Sequence, residues 1–330
     1  MALNLELLHH LITYDTAQQA WLVLIQKTLT IASAALSNET ALAEVIRRDQ
    51  EIGEMDHVLA CTAWDLWEAF GHSVERTSQR LIRGWSDPYT AHAVLILDGL
   101  SLRELPWLLQ GAHQRGFTVG EVTATASELP GTTDEFARAL GLSRRSQLNN
   151  NGGGLARRSQ PTRTDSGDMS WETCAALIDA TPNWVFWHHW PDNLLHQLHG
   201  AGKGIRTLTA AILEQLTSEP FWSLIERLAT GRRLVVTSDH GYAATGDFHD
   251  AQGEPHQYLK KTFANRRYAS GQKPTGRIGP PVALAVQGSR QPHVLTLGRL
   301  KWKSHGGYPT LTHGGLSLLE VLSPFVVLTK

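Results

Sequence analysis

Apolar residues recur at two different spacings along this chain, and the change falls near residue 90. Before it they follow the three-to-four-residue spacing of an amphipathic helix, first over the run Trp21, Leu22, Leu24, Ile25, Leu29 and Ile31. Asp15 and Thr16 are candidate caps for that helix. A second helical pattern extends over 45–82, with expected breaks at Gly53 and Gly71. We therefore expect a helical N-terminal segment over residues 1–90.

From residue 91 onward, short apolar runs alternate with helical patterns. The run 91–97 is typical of a strand buried in a parallel sheet. Further strands are expected at 117–124, 184–187, 234–237, 282–286, 294–300 and 325–328. Helices are expected at 101–114, 134–140, 170–180 and 205–228, the last with a break near Pro220, and a polar loop is expected at 143–169. This alternation predicts an α/β fold over 91–330, a doubly wound, mostly parallel sheet with helices on both faces.

Composition narrows the class of protein. Of 330 residues, 42% are apolar and 18% charged, which is enough apolar surface for a packed core. The two cysteines, Cys61 and Cys174, exclude a disulfide scaffold and a cysteine-rich zinc site. No apolar run reaches the length of a membrane helix, and the first residues do not resemble a signal peptide. We expect a cytoplasmic protein that does not enter a membrane.

Charge is distributed unevenly although the net charge is only −1. Residues 1–90 carry 12 acids against 6 Lys and Arg, whereas residues 255–319 carry no acid at all. The bases of that acid-free stretch are Lys260, Lys261, Arg266, Arg267, Lys273, Arg277, Arg290, Arg299, Lys301 and Lys303. A second acid-free stretch, 144–163, contains five arginines. Basic stretches of this kind favour a phosphate-rich partner such as nucleic acid; the alternative is a solvated surface.

Carboxylates and imidazoles follow three of the expected strands. They are Asp98 after 91–97, Asp192 and His196 after 184–187, and Asp239 with His240 after 234–237, while His313 precedes the last strand. A single residue of this kind is most often structural or a helix cap. Three strand ends of a parallel sheet meet at one edge, however, and ligands bind there. Mixed sets of carboxylate and imidazole suit zinc or manganese.

These residues and their order resemble the alkaline-phosphatase superfamily and, within it, PglZ-type proteins. The similar segments are Leu95–Gly99, Val236–Gly241 and Thr312–Val321. The superfamily pattern is a metal-binding Asp, a Ser or Thr nucleophile, an Asp-x-x-x-His, an Asp-His pair and a final His. Here it corresponds to Asp98, Thr133, Asp192 with His196, Asp239 with His240, and His313. The resemblance covers residues 91–330, implies an alkaline-phosphatase-like fold, and does not extend to 1–90.

The resemblance implies two neighbouring divalent metal ions, with zinc or manganese expected. One ion would be bound by Asp192, His196 and His313, and the other by Asp98, Asp239, His240 and the nucleophile. Related phosphodiesterases have a Thr three residues after a Pro, and Pro130-Gly-Thr-Thr133 matches that offset. Thr133 is therefore the expected nucleophile, with Thr132 and Ser127 as alternatives. A further alternative is that these threonines only cap a helix and that water attacks directly.

The function implied by the resemblance is a metal-dependent phosphodiesterase or nuclease of bacterial anti-phage defence, as in BREX systems. Its substrate would be nucleic acid or an oligonucleotide, and its partners other defence-system proteins. Two alternatives remain open. One is a phosphomonoesterase acting on a small molecule. The other is a scaffold subunit of a defence complex with a vestigial active site.

Overall fold

The structure is a computed structural model that describes residues 5–85, 90–152, 162–200, 203–271, 279–305 and 307–330. Five helices come first: α1 (Leu5–Thr13), α2 (Ala17–Ser33), α3 (Ala41–Cys61), α4 (Asp65–Ser73) and α5 (Thr77–Gly84). Thr16 caps α2, since its hydroxyl oxygen accepts a hydrogen bond from the Gln19 N–H, as expected. The prediction of a helix break at Gly53 is wrong, because α3 continues through Gly53 and ends at Cys61. Gly71 likewise lies inside α4.

The rest of the described chain alternates strands with helices. The strands are β1 (His92–Leu97), β2 (Thr118–Ala126), β3 (Thr162–Gly167), β4 (Asn183–His188), β5 (Arg233–Thr237), β6 (Ala243–Ala244), β7 (His249–Asp250), β8 (Tyr268–Ser270), β9 (Ala283–Gln287), β10 (Pro292–Thr296), β11 (Leu300–Lys301), β12 (Leu311–Thr312) and β13 (Leu322–Thr329). The helices are α6 (Leu105–Gln114), α7 (Thr133–Ala139), α8 (Trp171–Leu177), α9 (Asp192–Leu198), α10 (Ile205–Thr217), α11 (Glu219–Ala229), α12 (Gly253–Phe263) and α13 (Leu318–Val321). The expected break near Pro220 is confirmed, because Ser218 ends α10 and caps α11.

A six-stranded sheet in the order β2-β13-β5-β1-β4-β3 forms the centre of the molecule. β3, β4, β1 and β5 are parallel neighbours, and β13 runs antiparallel to both β5 and β2. Leu95 and Leu97 of β1 belong to one buried cluster. Val94 and Ile96 belong to another cluster, on the opposite face, together with Phe136 of α7. Helices therefore cover both faces of a mostly parallel sheet, and the predicted fold class is confirmed.

The prediction of a polar loop at 143–169 is partly wrong. Its C-terminal part, Thr162–Gly167, forms the edge strand β3, and Arg145–Asn151 forms a 3-10 helical turn. The sequence of β3 is Thr-Arg-Thr-Asp-Ser-Gly, which contains no large apolar residue. The periodicity of apolar residues cannot detect such a strand, because the strand has no large apolar residues to repeat. It is recognised as a strand by its pairing with β4.

The strands expected at 282–286 and 294–300 do not join the central sheet. They correspond to β9 and β10, which pair antiparallel in a separate sheet of order β8-β10-β9. Only residues 288–291 connect β9 to β10. A parallel connection needs a dozen or more residues, so a link of this length permits only a hairpin.

The N-terminal helices pack on the same core as the sheet. Trp21 of α2 and Ile52 of α3 belong to the buried cluster that contains Leu95 of β1. Because the two parts share one buried cluster, the domain boundary at residue 90 remains a prediction from the pattern of apolar residues.

Among the described residues, no helix combines the length and the apolar character that crossing a bilayer requires.

Candidate active site

The carboxyl ends of β1, β4 and β5 lie next to one another, and hydrogen bonds connect the loops that follow them. The Asp98 N–H donates to the His188 carbonyl at 3.0 Å, and the Asp192 N–H donates to the Asp98 carbonyl at 2.9 Å. The Gly99 N–H donates to Oδ1 of Asp239 at 3.0 Å. The three strand ends named by the sequence therefore converge at one edge of the sheet.

Asp98, Asp239 and His240 form a buried group of potential metal ligands, all with fully buried side chains. Nε2 of His240 lies 3.6 Å from Oδ1 of Asp98 and 3.6 Å from Oδ2 of Asp239. Nδ1 of His240 lies 2.9 Å from the Gly241 carbonyl, which leaves Nε2 directed at the two carboxylates. Each of the three residues offers one ligand atom within 4.8 Å of the others.

Asp192, His196 and His313 form a second group, which is more open to solvent. Oδ2 of Asp192 lies 3.2 Å from Nε2 of His196, and Oδ1 lies 3.9 Å from Nε2 of His313. Asp192 begins α9, and His196 follows one helical turn later, so both side chains lie on the same side of the helix. Nδ1 of His313 lies 2.8 Å from the Gly131 carbonyl, which leaves its Nε2 facing Asp192.

The second group also shifts the pKa values of its members. Burial opposes ionisation of Asp192, but the hydrogen bond with His196 and the nearby imidazoles of His313 and His240 lower its pKa below the ordinary range. The hydrogen bond with Asp192 raises the pKa of His196. Burial, helped by the neighbouring His240, lowers the pKa of His313 to about 4. His313 is therefore neutral at physiological pH, the form in which imidazole binds a metal.

The two groups are neighbours. The rings of His240 and His313 stack with their centroids 4.2 Å apart and their planes 11° apart. His240 belongs to the buried group and His313 to the more open one. The structure thus brings together six of the seven expected metal ligands in two adjacent sets of three, and the seventh is the expected nucleophile.

The expected nucleophile borders the buried group. Oγ1 of Thr133 lies 3.3 Å from both carboxylate oxygens of Asp98. Thr132 is the N-cap of α7, and its hydroxyl oxygen accepts a hydrogen bond from the Glu135 N–H. Ser127 is fully buried, and its Oγ has no hydrogen-bond partner among the described residues. Of the three candidates, Thr133 is the one whose hydroxyl contacts a residue of either ligand group.

Arg145 also contacts the site, which sequence reasoning did not anticipate. Its guanidinium forms an ion pair with Oδ2 of Asp98, and its side chain is about one-fifth exposed. The 3-10 turn that begins at Arg145 brings it there. The sequence feature that could have indicated Arg145 is the acid-free stretch 144–163, because it lies between Thr133 and Asp192 in chain order.

The chemistry of the two groups fits divalent metal ions. Three buried ligand atoms, Oδ1 of Asp192, Oδ2 of Asp239 and Nε2 of His240, have no hydrogen-bond partner in the described part of the protein. A buried polar atom without a partner costs about 1–3 kcal/mol. Clustering three such atoms is unfavourable unless a cation binds them, so the residues present suit an ion at each group.

The acid-free stretch 255–319 is less available to a polyanion than its sequence suggests. Arg267 is fully buried and pairs with Glu320, its Nε lying 2.7 Å from Oε1. Arg299 is also buried, in ion pairs with Asp49 and Asp56. Both arginines are removed from the expected phosphate-binding set, because acids outside the stretch pair with them. The exposed bases of the stretch 255–319 are Lys260, Lys261, Arg266, Arg290 and Lys303. Lys273 and Arg277 of that stretch, and Arg157 and Arg158 of the stretch 144–163, lie outside the described residues.

No protein-family model and no curated protein matches this chain. Among solved structures, murine ectonucleotide pyrophosphatase/phosphodiesterase 5 superposes with a TM-score of 0.48 at 13% identity, covering 72% of this chain and 87% of that one. The human protein of the same name gives 0.46 at 14% identity, with the same coverage. Phosphonoacetate hydrolase from Sinorhizobium meliloti gives 0.41 at 12% identity, covering 73% and 90%. Similarity this low supports no argument about the activity of this chain.

Proposed function

We propose that this protein is a metal-dependent phosphoesterase that prefers phosphodiesters. The observation that carries the proposal is the pair of adjacent ligand groups, joined by the His240–His313 stack, with the Thr133 hydroxyl 3.3 Å from Asp98. Carboxylate and imidazole groups that face each other, with three ligand atoms lacking a hydrogen-bond partner among the described residues, suit divalent cations better than they suit a structural core.

Two divalent ions, zinc or manganese, are the proposed cofactors. Asp192, His196 and His313 would bind one ion, and Asp98, Asp239, His240 and the Thr133 oxygen the other. When bound, such ions lower the pKa of an attacking hydroxyl and offset charge on phosphoryl oxygens. The chain itself supplies the positions of the ligands, because two backbone hydrogen bonds and one from the Gly99 N–H to the Asp239 carboxylate tie together the loops that follow β1, β4 and β5.

Thr133 is the proposed nucleophile. Its hydroxyl would lose its proton, Oγ1 would form a bond to phosphorus while the bond to the leaving alkoxide breaks, and the alkoxide would take up a proton to leave as the alcohol. Water would then attack the phosphorus, the Oγ1–phosphorus bond would break, and a proton from the water would restore the threonine hydroxyl. Asp98 contacts the hydroxyl through both carboxylate oxygens and orients it. Arg145, beside Asp98, lies where its guanidinium would bind a phosphoryl oxygen of the substrate.

Arg145→Ala is expected to raise KM for a small chromogenic diester about 10-fold or more, because a hydrogen bond to a charged group contributes about 1.5–3 kcal/mol. Metal affinity should stay unchanged or increase, since the variant removes a cation that competes for Asp98. Steady-state kinetics and metal titration measure the two effects. Arg144→Ala is the matched control, because Arg144 is the exposed neighbour. Equal KM values for both variants would contradict the role of Arg145.

A cavity with more bases than acids supports a substrate with more than one phosphate. It has a volume of about 460 Å³, and its lining includes His256, Lys301, Lys303 and Thr310 together with one acid, Asp250. Nζ of Lys301 donates to the Thr245 and Gly246 carbonyls. The Thr310 hydroxyl donates to the His199 carbonyl, which places this cavity beside the end of α9 that carries His196. We propose that the cavity binds a phosphate flanking the scissile one. Trp302 also lines the cavity but is only 1% exposed, so it is a wall residue and does not stack on a base.

Lys303→Gln is expected to weaken binding of a single-stranded oligonucleotide and to reduce its salt dependence. One phosphate contact contributes about 0.7 to the slope of log K against log salt concentration for single strands. Hydrolysis of the small chromogenic diester should stay within about twofold, because that substrate has no second phosphate. Lys260→Gln is the matched control, since Lys260 is exposed but does not line the cavity. Unchanged slopes for both variants would favour the small-molecule phosphomonoesterase.

The resemblance to PglZ-type proteins carries the finer proposal. On the basis of this resemblance, the enzyme is a nuclease of a bacterial anti-phage system such as BREX, is cytoplasmic, and associates with other defence-system proteins.

The decisive experiment for the proposed activity measures the metal content of the purified protein and its hydrolysis of bis- and mono-nitrophenyl phosphate. Metal-dependent hydrolysis with preference for the diester is the expected result. Bound metal without hydrolysis would favour the vestigial scaffold.

A further inference from the structure

One face of α3 brings two carboxylates into the interior of the protein. Asp49 and Asp56 are seven residues apart, which is about two helical turns, so they lie on the same side of the helix. They are 2% and 0% exposed. A buried charge is strongly destabilising unless it is paired and hydrogen-bonded, so the partners of these two residues decide what they do.

Asp49 joins two arginines from distant parts of the chain. Its Oδ1 accepts from the guanidinium of Arg103, with Nε at 3.0 Å, and its Oδ2 accepts from Nη1 of Arg299 at 2.8 Å. Nη1 of Arg103 donates in turn to the Tyr242 carbonyl at 2.8 Å and to the Ser101 hydroxyl at 3.2 Å. Asp49 therefore reaches, through Arg103, the two loops that follow β1 and β5.

Asp56 extends the same network. Its Oδ2 accepts from Nε of Arg299 at 2.8 Å, and its Oδ1 accepts from the Leu318 N–H at 2.8 Å. The unbroken course of α3 through Gly53 belongs to this arrangement. A Cβ at that position would lie 3.1 Å from Nη1 of Arg299, so glycine leaves room for the guanidinium between the two carboxylates.

Apart from Arg299, each partner of this network lies two to five residues after a candidate metal ligand. Ser101 and Arg103 come three and five residues after Asp98, and Tyr242 comes two residues after His240. Leu318 likewise comes five residues after His313. Two aspartates of one helix thus contact, directly or through one arginine, the three segments that carry Asp98, His240 and His313. Those three ligands include members of both metal groups.

We propose that Asp49 and Asp56 are positioning residues that set the separation of the metal ligands, so that α3 is a structural part of the active site. The proposal rests on the proposed metal-dependent function. Groups that orient metal ligands from outside the coordination sphere typically change metal affinity 10–100-fold when they are removed. This assigns a role in the catalytic site to the N-terminal helices, which the sequence resemblance does not cover.

Asp56→Asn is the first test. The variant keeps an oxygen for the Leu318 N–H but places an amide nitrogen, a donor, opposite the Nε donor of Arg299. We expect zinc and manganese affinity to fall at least about 10-fold when titrated well below the melting temperature. Glu54→Gln is the matched control, because Glu54 is an exposed acid of the same helix. A lower melting temperature with unchanged metal affinity would mean that Asp56 only stabilises the fold, and would overturn the proposal.

A second measurement uses the unaltered protein and does not depend on a variant that folds. Because coupling is reciprocal, a helix that positions the ligands must itself be stabilised when metal binds. Hydrogen exchange of the wild-type protein should therefore slow in peptides from 41–61 on addition of zinc, together with the ligand loops. Slowing confined to the loops would overturn the role of α3 while leaving the metal site intact. Absence of metal binding by the wild type would overturn the proposed function and this inference together.

Discussion

Asp239→Ala is expected to abolish metal-dependent hydrolysis while the protein remains folded. Asp239 is a fully buried member of one ligand group, and its Oδ2 has no hydrogen-bond partner among the described residues, so this oxygen is available to a metal ion. Its loss should reduce kcat/KM about 1,000-fold or more, since a metal contributes several kcal/mol to the transition state. The stabilisation by the zinc ion that this group binds should also disappear, which is about 2.7 kcal/mol at 100 times Kd, while the ion bound by Asp192, His196 and His313 should still stabilise the protein.

The melting temperature without metal separates this role from a structural one. The variant removes the acceptor of the Gly99 N–H, which destabilises, but it also removes repulsion between Asp239 and Asp98. These effects oppose each other, so we expect a small net change in the metal-free protein. Asp247→Ala is the control, because Asp247 is an exposed acid a few residues further on. Full metal-dependent activity in Asp239→Ala would refute the metal assignment.

Thr133→Ala is expected to have the second large effect, a loss of about 1,000-fold or more in kcat for diesters, because it removes the attacking oxygen. Metal binding should persist, since Asp98, Asp239 and His240 remain. Thr133→Ser keeps a hydroxyl and should retain measurable activity. The comparison of rates at saturating metal, with protein folding followed by circular dichroism, tests the assignment.

The other two candidates provide the controls for Thr133. Thr132→Ala should destabilise the protein by about 1 kcal/mol, because it removes the cap of α7, but should leave the rate within a few-fold. Ser127→Ala should leave the rate similarly unaffected, because Ser127 Oγ has no hydrogen-bond partner among the described residues. If Thr133→Ala retained most of its activity, water would be the attacking group. A large loss in Thr132→Ala or Ser127→Ala would move the nucleophile to that residue.

The sequence predicts the central sheet well where strands are buried on both faces. The strand β1 is almost uninterrupted apolar sequence, and all six of its residues are buried. The edge strand β3 could not be predicted, because it is polar and its only neighbour in the sheet is β4. The hairpin of β9 and β10 was assigned to the wrong sheet, since periodicity identifies a strand but not its partner.

The candidate site was predicted as far as chain order and strand ends determine it. Asp98, Asp192 and Asp239 follow parallel strands, and the sheet topology brings them together. Arg145 could not be assigned, because a polar loop gives no information about which base turns inward. Arg267 was misjudged for a related reason, since its partner Glu320 lies outside the acid-free stretch in sequence but next to it in space.

The position of β13 has a consequence for the order in which the protein acquires its structure. β13 lies between β2 and β5 in the sheet, and among the described residues it is the only strand paired with β2 there. β2 spans 118–126, whereas β13 spans 322–329. During translation, β2 therefore waits for a partner that is made almost two hundred residues later. Pairing of β13 with both strands is thus what attaches β2 to β5 in the described sheet, whereas β3, β4, β1 and β5 pair without it.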